Sequence, residues 1–317
     1  MDLGLLLAVA ATILLGMALR NIRATTLFAP WCWLLVTLWS IALTHTLGGD
    51  TSEITNDRSG LSSENLLGST RQQYWIEAMQ FAAHALVFCP FMSLLGARRP
   101  QNRMWEFIVF SLWLVLILPA FETMLLHPGQ LPDTQGIRAW FMLILIGVSA
   151  LNIILSRFWF SGILIGASQF MLVNSNLPNW THLNYSHAME AGLSLAIASF
   201  VIAFLQPKPD RSKIREEDRV WLDYRDMFGG MWALRIKERI NQSAVMYDWD
   251  LRLTWAGFVT ADGLDLPEEL PERTQQVLHQ HFYNLMRKFV ARDWINIRLN
   301  HPGSKLTDET DKPDLKP

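Results

Sequence analysis

Residues 105–126 read WEFIVFSLWLVLILPAFETMLL, an apolar stretch without a lysine or an arginine. The hydrocarbon core of a bilayer is about 30 Å thick, and a helix of about 20 apolar residues crosses it. A helix is the expected form because lipid offers no hydrogen-bond partner to an exposed backbone group. The stretch therefore predicts a membrane-spanning helix and, with it, an integral membrane protein.

Further apolar stretches accompany this one in the first two thirds of the chain. The predicted spans are Leu3–Leu19, Leu27–Leu47, Tyr74–Gly96, Trp105–Leu126, Ala139–Leu155, Phe158–Val173 and Ala188–Leu205. Only Ser156 and Arg157 separate the fifth span from the sixth, so one long bent hairpin is an alternative there. The sequence predicts a mainly α fold: a polytopic membrane bundle of about seven transmembrane helices with a small C-terminal α+β cytosolic domain.

Most arginines between the spans fall in alternate connections, which lie on one side of the membrane. Residues 1–206 hold nine arginines and no lysine. The first, third and fifth connections contain Arg20, Arg23, Arg98, Arg99, Arg103 and Arg157. Positive residues mark the cytoplasmic side. The pattern predicts an inner-membrane protein with its N-terminus outside and its C-terminus in the cytoplasm, and it predicts that the first span is an anchor and not a cleaved signal.

Composition divides the chain into four predicted regions. They are a seven-span domain (1–206), a charged linker (207–217), a small cytosolic α+β domain (218–299) and a disordered tail (300–317). The formal net charge of −2 argues against nucleic acid as a partner. Cys32 and Cys89 follow no metal-binding spacing and are interpreted as small apolar core residues.

The predicted cytosolic domain combines two periodicities. Apolar residues three and four apart over 218–242 predict an amphipathic helix, which Gly229 and Gly230 are expected to kink or split. Alternation of apolar and polar residues over 249–255 predicts a strand. A turn is expected at 261–263, and a second amphipathic helix after Pro271.

Many aromatic residues lie within 218–299, which indicates a compact core, with a protein partner for this region as a further hypothesis. A set of charged residues is predicted to form a solvated helix face with local ion pairs: Asp223, Arg225, Asp226, Arg235, Lys237, Glu238 and Arg239. His279 and His281 are two residues apart and are expected to point in different directions. The region contains no nucleotide-binding, kinase or metallopeptidase motif.

Small residues and prolines predict how the spans pack. Small residues recur at every fourth position in the last two spans, at Gly162, Gly166, Ala188, Gly192 and Ala196. Such spacing permits close approach of helix backbones. Pro90 and Pro119 predict kinks in the third and fourth spans.

Ionisable residues inside spans are energetically costly, so each raises a functional question. In the third span Glu77, Gln80 and His84 are three and four residues apart and therefore share one helical face. His187 and Glu190 repeat this geometry at the start of the seventh span. By the predicted topology these side chains meet at one depth near the outer surface, in an outward-facing polar pocket.

This polar pocket predicts a cofactor site. The candidate cofactor-binding residues are Glu77, His84, His187 and Glu190. The alternative set for a divalent metal is His45, His84, Glu122 and His187. Imidazole and carboxylate groups ligate zinc and iron, paired imidazoles ligate haem, and the same groups suit a quinol head group. The structural alternative is a set of interfacial histidines open to water beside carboxylates that cap helices or snorkel.

Several known seven-span designs can be compared with this pattern. A retinal protein needs a lysine in its last span, and residues 1–206 contain none. The membrane hydrolases related to alkaline ceramidases are similar in using histidines with an acid, but their HxxxH spacing is missing. Cytochrome c assembly proteins are similar in having outer histidines beside tryptophans, but their tryptophan-rich motif is missing.

Two functional hypotheses remain. The first is a non-catalytic sensor, assembly factor or complex subunit with an outward-facing polar pocket and a cytosolic partner-binding domain. The second is a haem-, metal- or quinol-binding membrane protein of redox or zinc-hydrolase type. The sequence contains no catalytic motif and therefore favours the first hypothesis. A transporter is less favoured because no inverted repeat is evident.

Overall fold

The computed structural model of the protein describes residues 3–56, 63–126, 136–177, 187–207, 214–264 and 272–298. The helices of the first 207 residues are α1 (Leu3–Ile22), α2 (Phe28–Asn56), α3 (Ser63–Ala85), α4 (Cys89–Leu95), α5 (Asn102–Leu125), α6 (Ile137–Ile154), α7 (Trp159–Val173) and α8 (Ala188–Leu205). Short 3-10 segments follow α3 at Leu86–Phe88 and α7 at Asn174–Asn176. The later elements are α9 (Glu216–Met246), β1 (Arg252–Leu253), β2 (Phe258–Val259), α10 (Glu272–Met286) and α11 (Arg292–Arg298).

Five helical stretches within the described residues are long and apolar enough to cross a membrane. They are Phe28–Leu47, Tyr74–Leu95, Asn102–Leu125, Ile137–Ile154 and Ala188–Leu205. Gly4–Leu19 is a shorter apolar helix. The sixth predicted span corresponds to α7, whose 15 residues extend over roughly 22 Å at 1.5 Å per residue. The structure agrees with a transmembrane protein, and the count of seven spans stays a prediction.

The chain divides into two compact units. The first contains Met1–Lys208 with Arg225–Leu234, and the second contains Pro209–Tyr224 with Arg235–Pro317. Helix α9 therefore contributes its middle to the first unit and its two ends to the second. The predicted domain limits stay predictions, and the predicted tail lies outside the described residues.

The third predicted span is interrupted at Pro90, as the sequence predicted. Because proline has no N–H, Pro90 cannot donate to the Leu86 carbonyl, which instead accepts from Cys89 N–H at the end of the 3-10 segment. The Thr37 hydroxyl of α2 donates to that carbonyl at 3.1 Å. Gln169 Nε2 donates to the neighbouring Val87 carbonyl at 3.3 Å. Side chains of two other helices thus satisfy the backbone that the break exposes, as a lipid environment requires.

The small residues of α7 and α8 lie at close helix contacts. A Cβ at Gly162 would lie 2.8 Å from the backbone nitrogen of Ile154, so this glycine lets α7 approach α6. A Cβ at Gly192 would lie 2.8 Å from the Leu172 side chain, so α8 approaches α7 equally closely. The core of the first unit lies between α2, α5, α6, α7 and α8. It includes Ile41, Phe88, Ile117, Met142, Leu172 and Leu193.

The second unit has its own core, built from both ends of α9, the strands and the last two helices. β1 and β2 pair antiparallel, with Leu253 opposite Phe258. Leu251 and Leu253 are buried and Arg252 is exposed, which confirms the predicted alternation, but the strand contains two residues only. The Asn241 side chain takes the place of a neighbouring strand at Leu253. It accepts from Leu253 N at 2.7 Å and donates to Leu253 O at 3.0 Å. The buried face of α10 and its continuation includes Leu278, Phe282, Met286, Phe289 and Val290, as predicted.

Candidate functional site

The hydrogen bonds of the first unit define its two ends. Trp232 Nε1 donates to Leu94 O at 2.9 Å, and Met231 N donates to Asn152 Oδ1 at 2.9 Å, so α4 and α6 end at the same side. We call this side, which includes Arg157, the arginine end. The opposite side is the histidine end. His45 of α2 and the first residues of α8 lie at this end. Gln206, which follows the last residue of α8, donates to Arg157 O at 3.1 Å, so α8 ends at the arginine end and begins at the histidine end.

His45 and His84 lie on the neighbouring helices α2 and α3. Gln80 Nε2 donates to Thr44 O at 3.5 Å, so the two helices are in contact one residue before His45 and one helical turn before His84. Both imidazoles are half-buried, and so is Glu77. Glu77 lies two helical turns from His84 on α3, about 10 Å along the axis. The structure therefore places two of the predicted site residues on neighbouring helices.

In the predicted pair at the start of α8, His187 is exposed and Glu190 is half-buried. His187 Nδ1 lies 3.6 Å from Glu190 Oε1, with side-chain exposures of 71% and 26%. Glu190 is in the first turn of α8, where a carboxylate interacts favourably with the helix dipole. This geometry is also that of a surface pair that stabilises a helix start.

Glu122 and His187 complete the predicted metal set. Glu122 is exposed near the end of α5. Among the described residues, no group of three or more His, Cys, Asp or Glu side chains is arranged to hold a metal ion. His127 and His182 lie outside the described residues. The cofactor set and the metal set therefore stay predictions.

A cavity of about 40 Å³ lies between α2, α4, α7 and α8, with Thr37, Ser168 and Gln169 among its mostly apolar walls. One water molecule occupies about 30 Å³ of liquid, and ligand pockets are commonly about 300–1,000 Å³. This cavity is too small for a haem or a quinol ring.

Gln169 has a structural role that the sequence did not reveal. It is 1% exposed. Its Oε1 accepts from Ser149 Oγ at 2.5 Å, and its Nε2 donates to Val87 O. The side chain therefore ties α6 and α7 to the break at Pro90.

A second polar centre that sequence reasoning left without a role surrounds Glu106 of α5. Trp33 Nε1 donates to its Oε2 at 2.5 Å, and Ser93 Oγ donates to its Oε1 at 2.6 Å. The indole and the hydroxyl come from α2 and α4, so one carboxylate fixes three helices. The signal in the sequence was a glutamate inside an apolar span.

The arginine end corrects one prediction. Arg225 and Asp226 were expected on a solvated face, but their side chains are only 12% and 7% exposed. Asp226 Oδ1 accepts from the Arg157 backbone N–H at 3.3 Å and pairs with Arg225 Nη2 at 3.0 Å. The prediction failed because it considered only the helix itself and not the bundle against which this segment packs. Arg235, Glu238 and Arg239 are exposed, as predicted.

Gly229 is the sequence signal for this packing. Its backbone is non-helical, with φ 78° and ψ −179°, which confirms the predicted interruption of α9. A Cβ there would lie 2.5 Å from Asn152 Nδ2 and 2.7 Å from Asn152 O. Only glycine permits both this conformation and this approach. The break then aligns Met231 N with the Asn152 side chain.

In the second unit, a buried pair joins α9 to α10. His279 Nε2 lies 2.7 Å from Glu217 Oε1, with side-chain exposures of 18% and 7%. Burial by itself would raise the pKa of Glu217. The hydrogen bond from His279, backbone donors and nearby positive charge outweigh burial and hold that pKa below its usual value. The ring centre of His281 instead lies 5.3 Å from that of Tyr247 and 5.2 Å from that of Trp249. The two histidines therefore point in different directions, as predicted.

Comparison with protein-family models, curated proteins and solved structures finds no match to this chain.

Proposed function

We propose that this protein is a seven-span inner-membrane protein that acts without catalysis, as a sensor, an assembly factor or a subunit of a membrane complex. The histidine end would form its outward-facing polar pocket, and residues 218–299 would bind a cytosolic protein partner. The observation that carries this proposal is helix α9, which is common to both units.

The middle of α9 is held by specific contacts within the first unit. Met231 N and Trp232 Nε1 donate to Asn152 and Leu94, and Asp226 accepts from Arg157. Both ends of the same helix belong to the second unit. A change at these contacts would alter the helix that also builds the second core, which is the property that a sensor or a regulated subunit needs.

The seven-span topology has support beyond the five longest helices. The short α7 is followed directly by the 3-10 segment Asn174–Asn176, which lengthens its helical path. Its glycines pack closely on α6, and Ser161 and Ser199 exchange hydroxyl-to-carbonyl hydrogen bonds of 3.1 and 3.0 Å with each other across α7 and α8. The alternating arginines favour an outside N-terminus and a cytoplasmic C-terminus.

Cysteine labelling tests the topology. Ser175→Cys places a thiol on an exposed residue of the histidine end, and Glu238→Cys places one on an exposed residue of α9. A membrane-impermeant maleimide should label Ser175→Cys on intact spheroplasts and Glu238→Cys only after permeabilisation. The parent protein, with its own cysteines in predicted spans, is the control. The reverse labelling pattern would overturn the orientation.

Photo-crosslinking in cells tests the partner role. Val245 and Tyr247 are 85% and 54% exposed in the second unit, which makes them suitable positions for a photoreactive amino acid in the full chain. We expect one discrete crosslinked product from both positions, with the same protein identified by mass spectrometry. Native mass spectrometry that finds the chain alone, together with no crosslink at either position, would contradict the proposal.

The second candidate function is a haem-, divalent metal- or quinol-binding membrane protein. The specific observation in its favour is that His45 and His84 are both half-buried and lie on the neighbouring helices α2 and α3. Absorption spectra and metal analysis of the purified wild type and of His84→Ala test it, with His187→Ala as a comparison. A Soret band or stoichiometric metal lost in His84→Ala would support this candidate. Colourless, metal-free wild-type protein that contains no extractable quinone would exclude it.

A further inference from the structure

Arg157 lies in the short connection between α6 and α7, beside exposed aromatic residues. Trp159 and Phe160, at the start of α7, are 55% and 46% exposed. The Arg157 guanidinium lies 4.5 Å from the centre of the Phe158 ring. Exposed tryptophan near the end of an apolar helix is typical of the depth at which lipid head groups meet water. Arg157 is therefore placed at head-group depth.

The positive charge of Arg157 is only partly compensated within the described residues. Its Nε lies 3.7 Å from Asp226 Oδ2, which is beyond hydrogen-bond distance. This buried Nε has no hydrogen-bond acceptor in the part of the chain that the structure describes. Arg225 engages the same carboxylate at 3.0 and 3.2 Å, so Asp226 is shared. The Arg157 side chain keeps 24% of its surface exposed.

We propose that Arg157 binds the phosphate of an anionic phospholipid head group, in competition with Asp226. A guanidinium matches phosphate geometry through two parallel hydrogen bonds, and basic sites between helices at the membrane surface hold anionic head groups. A zwitterionic head group carries its own cation and competes less well. The Phe158 ring orients the guanidinium, and Trp159 and Phe160 lie where the lipid would approach.

This site has a consequence for α9. Asp226 belongs to Arg225–Leu234, the segment of α9 that packs within the first unit. A head group that binds the Arg157 guanidinium removes its attraction to Asp226. Anionic lipid thereby weakens the packing of Arg225–Leu234 within the first unit. The regulatory consequence rests on the proposed sensor function, whereas the lipid site does not.

Lipid retention in nanodiscs tests the site. The full chain is reconstituted in phosphatidylcholine with phosphatidylglycerol, and native mass spectrometry measures which lipid stays bound. The wild type should retain phosphatidylglycerol in preference to phosphatidylcholine. Arg157→Gln should lose about fivefold in this preference, the effect of one basic residue at a membrane surface. Asp226→Asn should increase the preference because it removes the competing carboxylate.

Arg103→Gln is the matched control, because Arg103 is an exposed arginine at the start of α5. An equal loss in Arg103→Gln and Arg157→Gln would indicate a general surface charge and overturn the proposal. A decrease in both Arg157→Gln and Asp226→Asn would indicate a structural ion pair and overturn it too. If Arg157→Gln does not fold, the increase in Asp226→Asn and a retained preference in Arg157→Lys decide the question.

Inorganic phosphate, added to nanodiscs of phosphatidylcholine alone, distinguishes a soluble ligand from a lipid. Phosphate that raises the melting temperature of the wild type, without any preference for phosphatidylglycerol, would overturn the lipid assignment. The topology and crosslinking experiments do not depend on lipid preference, so the lipid site and the proposed function can fail separately.

Discussion

The two ends of the first unit differ in how far their charged side chains are buried. At the histidine end His187 and Glu190 are 71% and 26% exposed and 3.6 Å apart. At the arginine end Arg225 and Asp226 are 12% and 7% exposed and 3.0 Å apart. The sequence directs attention to the first pair because it lies at the start of an apolar span. The second pair looks ordinary because its neighbours in sequence are polar. Sequence context and burial therefore disagree at both ends.

The same contrast separates two histidine–glutamate pairs. His187 and Glu190 are neighbours on one helix, whereas His279 and Glu217 come from different helices, 2.7 Å apart and 18% and 7% exposed. An exposed ion pair contributes little to stability, and a buried one is costly to break. Residue spacing along one helix therefore predicts exposed pairs such as His187 and Glu190, and not the buried pairs that join two helices.

The largest expected effect comes from Gly229. In Gly229→Ala the new Cβ would meet Asn152 at 2.5 Å, in a backbone conformation that L side chains rarely adopt. We expect a loss of about 3 kcal/mol in the free energy of unfolding, from strain and overpacking together. Denaturation in detergent, followed by tryptophan fluorescence, measures it.

Gly136→Ala is the control for this prediction. Gly136 has a similar φ of 73°, but a Cβ there meets nothing within 4 Å. Backbone strain alone should cost about 1 kcal/mol. Equal losses in the two variants would show that the arginine end is not tightly packed around Asn152, and the comparison between the ends would collapse.

An intermediate effect is expected from acid. Because the pKa of folded Glu217 is below its usual value, its contact with His279 contributes fully above the unfolded pKa. That contribution is lost as the pH falls through the lowered pKa. A hydrogen bond to a charged group contributes about 2 kcal/mol. Glu217→Gln should remove this loss, measured as the melting temperature of the full chain between about pH 5 and pH 3.

Glu238→Gln serves as the reference for the acid experiment. Glu238 is exposed on α9. This variant should keep the wild-type dependence of stability on pH. If Glu217→Gln keeps it as well, the buried pair does not stabilise the second unit through the charged carboxylate.

The smallest effect is expected at the histidine end. His187→Ala should change the free energy of unfolding by no more than about 0.5 kcal/mol, because the side chain is mostly exposed and its partner is on the same helix. Denaturation in detergent at neutral pH measures the change. A loss comparable to that of Gly229→Ala would mean that His187 has a tight partner, and the two ends would then be alike.

Much of the fold could be predicted from residue patterns. The five long apolar helices, the break at Pro90, the interruption at Gly229 and the buried face of α10 all follow from local sequence. Each of these depends on residues close together in the chain, such as a missing N–H or an apolar period. The brief strand was predicted in position but not in length, since the Asn241 side chain takes over the hydrogen bonds of Leu253.

The candidate site was less accessible. Sequence spacing placed Glu77 and His84 on one helix face, but it did not show that Gln80, between them, contacts Thr44 of α2. It also did not separate polar groups that bind helices together, such as Gln169 and Glu106, from groups open to a ligand. That distinction depends on which carbonyls a proline break exposes and which helix lies opposite.

The long apolar helices of a membrane protein follow from residue patterns, because bilayer thickness and backbone hydrogen bonding act on each stretch separately. Which polar residues are buried follows from the way the helices pack. The helix Glu216–Met246 is the clearest case, since its polar centre is buried by the ends of α4, α6 and α7. Burial is a property of the elements that surround a residue, and those elements lie up to 138 positions away along the chain.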